Sequence, residues 1–315
     1  MELPSLDFTL FTNGTPSQQK YLCDTLLAYC KNHGVAKITN CGIPNSAIDE
    51  LLNWNRHFFQ LPYDVKMKAP HPATPNPHRG YSGLGQERVS SVTFDAKESF
   101  DQGPTDDSLQ PNIWIPEEDL PGFRTFMEGF FNLCCDAQLL ILRALAVGLN
   151  MPEYTFDKLH SRHEFELRLT HYPAIDIKKL QTDTNRISEH HDWGTITLVF
   201  QDSTGGLEFE QKDRPGVFHA VESVKPMEIV LNVGDCLHRW TNGTLHSVNH
   251  RVRIPRSLST QQQGLVPDRH SVSFFCKPNR DESVASWKVF QSDALVRYED
   301  ITSYEYNQRL LKTTY

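Results

Sequence analysis

The sequence predicts a mainly β fold with flanking helices and an α/β region at its N-terminus. Three observations carry that prediction. First, strand-like segments follow one another through short turns: Glu166 to Tyr172, Thr195 to Phe200, Leu207 to Glu210, Val217 to Val221, Met227 to Asn232, Ser247 to Val252 and Ser271 to Cys276. Short strands without helices between them argue for an antiparallel sandwich or barrel. Second, Phe123 to Leu149 repeats apolar residues at helical spacing (Phe123, Met127, Phe130, Cys134, Ala137, Ile141), as expected of a helix packed on a sheet. Third, the first seventy residues mix strand and helix signals.

In that first region Leu6, Phe8 and Leu10 alternate, which suggests a short strand from Leu6 to Leu10. Thr15 followed by Pro16 is a helix start, with Tyr21, Leu22, Leu26 and Tyr29 forming its stripe. Gly34 ends that helix, and Val35 to Thr39 reads as the next strand. Ser46 is placed to cap a second helix carrying Ile48, Leu51, Leu52, Trp54 and Phe58. Residues 70 to 115 are rich in proline and glycine. The run Arg79 to Gly85 fits neither Gly-x-Gly-x-x-Gly nor a phosphate-binding P-loop. Ser292 to Tyr315 reads as a C-terminal helix. The expected organisation is an N-terminal region over 1–115, a β core with its supporting helix over 116–290, and a terminal helix over 291–315.

Composition narrows the function. The net charge is −8 and no basic block stands out, which speaks against a nucleic-acid backbone as partner. No uninterrupted apolar run reaches the ~18 residues a membrane helix needs. The start, Met1-Glu2-Leu3-Pro4, lacks the pattern of a secretory signal. The seven cysteines are scattered, with no Cys-x-x-Cys. They read as small core residues in a reducing compartment, and the expected location is the cytoplasm.

The chemistry centres on Ser188-Glu189-His190-His191-Asp192-Trp193-Gly194. His190 and Asp192 are two apart at the mouth of a strand, where residues i and i+2 share a face. One further imidazole completes a 2-His-1-carboxylate set, the ligands of non-haem iron(II) oxygenases. His250, in His250-Arg251-Val252, and His246, four residues earlier and able to share its strand face, are the candidates. His191 should point away from the metal. Beyond it lies Arg269-His270-Ser271 on a strand-like segment.

His-x-Asp, a distant His and Arg-x-Ser in this order resemble the Fe(II)- and 2-oxoglutarate-dependent dioxygenases, in the branch that includes isopenicillin N synthase. Leu169-Thr170-His171-Tyr172-Pro173 and Leu231-Asn232-Val233-Gly234-Asp235 add to the resemblance, which spans nearly the whole chain. It implies a double-stranded β-helix, or jelly-roll, core. It also implies Fe(II) on His190, Asp192 and His250, with O2 and 2-oxoglutarate as co-substrates and ascorbate as a reductant. Arg269 and Ser271 would grip the far carboxylate of the oxo acid, with Tyr172 and Thr170 beside them. Arg79, Tyr81 and Trp193 are the candidate substrate contacts.

The implied reaction is oxidation of a C–H bond in a small organic molecule of specialised metabolism, releasing succinate and CO2. Hydroxylation is the default outcome, while Asp192 disfavours halogenation, which needs a small residue there. Two alternatives stay open at this point: an oxidase that needs no oxo acid, and a non-catalytic jelly-roll binding protein. The interval from His250 to Arg269 is longer than in plant members and suggests a surface loop.

Overall fold

A computed structural model describes residues 4–72, 78–87, 94–182, 184–221, 228–291 and 298–311. Twelve of its strands form two facing sheets. In chain order they are β1 (Ser5–Asp7), β2 (Val35–Thr39), β3 (Gly80–Ser82), β4 (Glu98–Gln102), β5 (Glu166–Tyr172) and β6 (Ile187–His190). There follow β7 (Ile196–Gln201), β8 (Leu207–Gln211), β9 (Arg214–Ala220), β10 (Ile229–Val233), β11 (His250–Val252) and β12 (Arg269–Phe275). The eight-stranded sheet runs β1-β2-β10-β7-β12-β5-β4-β3, and the four-stranded sheet runs β9-β8-β11-β6. This is the jelly-roll expected from the sequence. Strands from the first 115 residues sit at both edges of the large sheet, so the N-terminal region shares its hydrogen-bond ladder.

The large sheet is buried on both faces, and strand alternation separates them chemically. One face carries Leu167, Leu169, Ile196, Leu198, Phe200, Val272 and Phe274, all at most 1% exposed. It packs against three helices, α1 (Pro16–Asn32), α2 (Asn45–Gln60) and α3 (Phe123–Gly148). Phe130 of α3 meets Phe200 edge-on at 5.3 Å, and Phe131 meets Phe274 at 5.3 Å. Helix α3 is long and apolar enough to cross a membrane, but here its apolar side supplies much of the core. The opposite face of the sheet looks at the small sheet, where Val199 and Val230 pack with Leu207, Phe209 and Val252.

Helix α1 starts as expected. Thr15 accepts from the Gln18 N–H while Gln18 reaches back to the Thr15 N–H, a reciprocal cap. It ends at Gly34, whose φ of 69° is left-handed. A Cβ there would lie 2.2 Å from the His246 carbonyl, so only glycine fits.

Several expectations need correction. The first strand stops at Asp7, because the Asp7 carboxylate takes the Thr9 N–H (3.0 Å) and turns the chain into a short helix, Thr9–Thr12. Helix α2 follows Pro44 directly and has no side-chain cap, so Ser46 does not serve as one. Strand β11 begins at His250 and not Ser247, because Thr241 Oγ1 captures the Leu245 N–H (3.1 Å) and holds the preceding stretch in turns. Residues 298–302 are not helical, and the last helix, α5, spans Ser303–Leu311. Its start is set by Thr302 and Glu305, which cap each other at 2.9 and 3.1 Å. Met227, residues 292–297 and residues 312–315 lie outside the described residues.

Burial pushes the imidazoles of His160, His246 and His270 down to about 4. In an unfolded chain they titrate near 6.5, so below that pH the unfolded state takes up protons that the folded state refuses. Stability is therefore fully present above about pH 6.5 and declines as pH falls towards 4. Urea-unfolding midpoints should drop steeply across that window; a flat profile would mean that these rings are protonated in the native protein.

Candidate active site

Antiparallel pairing of β6 and β11 sets His250 directly opposite His190. His190 ends its strand, and Asp192 lies two residues on in a turn. The Asp235 N–H donates to Asp192 O and the Cys236 N–H to Gly194 O, each at 2.8 Å. That turn is crowded: a Cβ on Gly194 would lie 2.0 Å from Cys276 O, and one on Gly234 would lie 2.5 Å from Gly194 O. Two glycines thus let the carboxylate-bearing turn press against the start of the short helix α4 (Asp235–Trp240).

The hydrogen bonds settle which ring nitrogens carry protons. His190 Nδ1 lies 2.8 Å from Ser188 O, and His250 Nδ1 lies 3.2 Å from Val248 O. A carbonyl only accepts, so each Nδ1 carries a proton and each ring turns its Nε2 towards the carboxylate. Those Nε2 atoms stand 3.9 and 3.8 Å from Asp192 Oδ1. Asp192 Oδ2 is already occupied, accepting from Thr197 Oγ1 (2.6 Å) and Asn232 Nδ2 (2.7 Å). Two ring nitrogens and a carboxylate oxygen therefore converge, which suits a divalent cation that takes nitrogen and oxygen together. Burial, and then the neighbouring His250, hold His190 down at about 3. Burial works against ionisation of Asp192, but the two histidines and the two hydrogen bonds outweigh it and lower its value.

These atoms open into a cavity of about 200 Å³ between the sheets. Its floor is the polar face of β5 and β12, whose residues pair as Arg269 with Tyr172, Ser271 with Thr170, Ser273 with Arg168 and Phe275 with Glu166. Successive pairs are about 7 Å apart along the strands. At one end Arg269, 1% exposed, donates to Ser271 Oγ (3.1 Å) and Gln201 Oε1 (2.8 Å). Its Nε has no partner among the described residues. Its guanidinium lies 4.8 Å from the Tyr172 ring centre, and that of Arg186 lies 6.0 Å from the same ring. A buried cation with a spare donor, beside a hydroxyl, fits a carboxylate.

The structure thus brings together His190, Asp192, His250, Arg269, Ser271, Tyr172, Thr170 and Trp193 around one cavity. Arg79 and Tyr81 lie outside that lining. Arg79 is buried behind the wall between Asp107 (3.4 Å) and Glu166 (3.5 Å), while the Tyr81 hydroxyl donates to Glu98 (2.5 Å). His191 reaches the cavity lining while its Nδ1 sits 3.3 Å from Ser247 Oγ. His246 does not reach it. His238 is tied to Leu245 O and Tyr298, and His270 to Asn55, as structural histidines.

Sequence reasoning missed Thr197, Gln201, Glu87, Arg168 and Lys277. For Arg168 a signal existed: Glu166, Arg168 and Thr170 alternate with Leu167 and Leu169, and charge on a strand buried on both faces marks a lined cavity.

Thr197 and Asn232 orient the carboxylate through its outer oxygen. Loss of such a partner typically weakens metal affinity about 10–100-fold. Asn232→Leu and Thr197→Val should each weaken Fe(II) binding by that order in an oxygen-free titration. Unchanged affinity would show that Asp192 needs neither.

Residues 3–117 match the family model described as non-haem dioxygenase in morphine synthesis, N-terminal, and residues 165–278 match the 2OG-Fe(II) oxygenase superfamily. A proline hydroxylase of Petromyces alliaceus is 48% identical, with 100% of each chain covered. A 2-oxoglutarate-dependent dioxygenase of Glarea lozoyensis is 44% identical, again over 100% of both. Among solved structures, a full-length Neurospora crassa protein in complex with alpha-KG superposes with a TM-score of 0.89 at 32% identity, covering 98% of this chain and 96% of that one. The same protein has been solved with thymine as well. Relatives named for 2-oxoglutarate favour the oxo-acid reading over an oxidase or a binding protein. With both halves of the fold matched and relatives this similar over their whole length, the chain belongs to the 2-oxoglutarate- and Fe(II)-dependent oxygenases.

Proposed function

We propose that this oxygenase hydroxylates a C–H bond of a small free amino acid of the proline type. On this reading His190, Asp192 and His250 hold Fe(II), while Arg269, Ser271 and Tyr172 hold 2-oxoglutarate. The observation that carries it is the convergence of two imidazoles and a carboxylate beside a buried guanidinium with a spare donor. Iron and oxo acid together supply the oxidising power: one O2 is consumed, 2-oxoglutarate becomes succinate and CO2, and one oxygen atom enters the substrate.

The chain's own residues bind and orient. Arg269 and Ser271 fix the far carboxylate at one end of β12. Thr197 and Asn232 keep one oxygen of Asp192 turned towards the ligand site. Thr170 and Trp193 close the walls around the reacting positions and limit access by water. The amino-acid reading is supported by the relative named proline hydroxylase. The Neurospora protein solved with thymine suggests a nucleobase instead, but a neutral base gives no reason for the buried charges on this cavity wall. The seven unpaired, buried cysteines support a reducing compartment, the cytoplasm on this reading.

Purified apoprotein titrated without oxygen should show a weak visible charge-transfer band only when Fe(II) and 2-oxoglutarate are both present. With O2 and L-proline, succinate should form together with a product one oxygen atom heavier. Arg269→Leu should raise the 2-oxoglutarate concentration for half-saturation by about 100-fold or more while iron stays bound. Succinate formation that proline does not stimulate, with no heavier product, would remove the amino-acid reading and leave the oxygenase.

A further inference from the structure

The cavity end away from Arg269 is built from charge. Glu87, Lys97, Glu166, Arg168 and Lys277 all line it, with side chains between 3% and 15% exposed. Lys97 Nζ lies 2.6 Å from Glu87, Arg168 lies 3.0 Å from the same carboxylate, and Lys277 lies 2.6 Å from Glu166. Behind the wall the Arg168 fork holds Asp101 at 2.7 and 3.2 Å. Taking so many charges out of water carries a large desolvation cost. An apolar or neutral substrate would give no return on that arrangement.

Both signs alternate within one short stretch of wall. A ligand carrying an anion and a cation a few bonds apart can join such a network without leaving a buried charge unmatched. A lysine ammonium has three N–H donors, and among the described residues the hydrogen bond recorded for Lys97 goes to Glu87. Glu166 accepts from Lys277, with Arg79 more distant at 3.5 Å, so its carboxylate has unused acceptor capacity. The cavity must also take the oxo acid, which limits the substrate to a small skeleton.

We propose that Lys97 receives the α-carboxylate of a free amino acid, and that the carboxylates on the same wall, Glu166 foremost, receive its ammonium. Arg168 is a positioning residue that holds Glu87 in place beside Lys97. The proposal rests on the amino-acid reading above and sharpens it: the substrate is the free zwitterion, not an ester, an amide or an acyl chain on a carrier. Esterification or amide formation removes the charge that Lys97 would meet and leaves Lys97 with Glu87 alone.

The test is equilibrium dialysis of the Fe(II)- and 2-oxoglutarate-loaded protein without oxygen, using labelled L-proline and L-prolinamide. Wild-type protein should hold proline about 30-fold or more tightly than the amide. Lys97→Met should lose proline affinity by a similar factor and discriminate acid from amide by less than about 3-fold, with the charge-transfer band intact. Lys97→Arg should recover part of the loss. Proline binding by Lys97→Met within about 3-fold of wild type would overturn the assignment, as would equal binding of acid and amide by wild type, a result that needs no variant to fold. If wild type with an intact band binds none of the common free amino acids, the amino-acid reading falls and this proposal with it.

Discussion

The register between β6 and β11 is the constraint on which the site depends. Because His250 stands opposite His190, two imidazoles reach one point from neighbouring strands, and the carboxylate two residues later joins them. Side chains alternate along a strand, so a slip of one residue would turn an imidazole to the other face. The small sheet has little to hold that register on its own, since β11 has only three residues. It is held by the neighbouring strand, where Phe209 of β8 pairs with His250 and sets its ring 5.3 Å away, and from outside by the Asp192 turn wedged against the start of α4.

The large sheet makes the polar cavity affordable. Its other face is an apolar layer sealed by α1, α2 and α3, and burial at about 25 cal/mol per Å² of apolar surface offsets the unfavourable desolvation of the charges opposite. Those charges are then left for specificity, since buried ion pairs add little net stability of their own. Most are satisfied by partners within the wall, which keeps them in place before any ligand arrives.

Much of this was legible in the sequence, for identifiable reasons. Helix α3 and strand β5 carry strong periodic patterns, and both were located to within a residue. His190 and Asp192 were readable from their close spacing, and His250 from its place in a motif the family resemblance supplied. What was not legible depends on long-range packing. Nothing near Thr197 or Asn232 says that both will meet Asp192. Arg79 and Tyr81 sit on β3 or next to it, where the family resemblance implied substrate contacts; in the fold that strand is the outermost of the large sheet, and both residues lie outside the cavity lining. The last helix starts later than its composition suggests, because a capping pair at Thr302 and Glu305 outweighs propensity.

One consequence follows from the ladder of pairs along β5 and β12. The oxo-acid end and the charged end are rungs of the same two strands, separated by a spacing that the backbone fixes. Side chains at the Ser273–Arg168 and Phe275–Glu166 rungs can change without moving Arg269 or Ser271, because the ladder bonds are main-chain and indifferent to side-chain identity. The two strands act as a ruler with one end standardised and the other free to vary. New side chains at the other rungs and in the loops above them would reshape the charged end of the cavity and leave Arg269 and Ser271 where the backbone holds them.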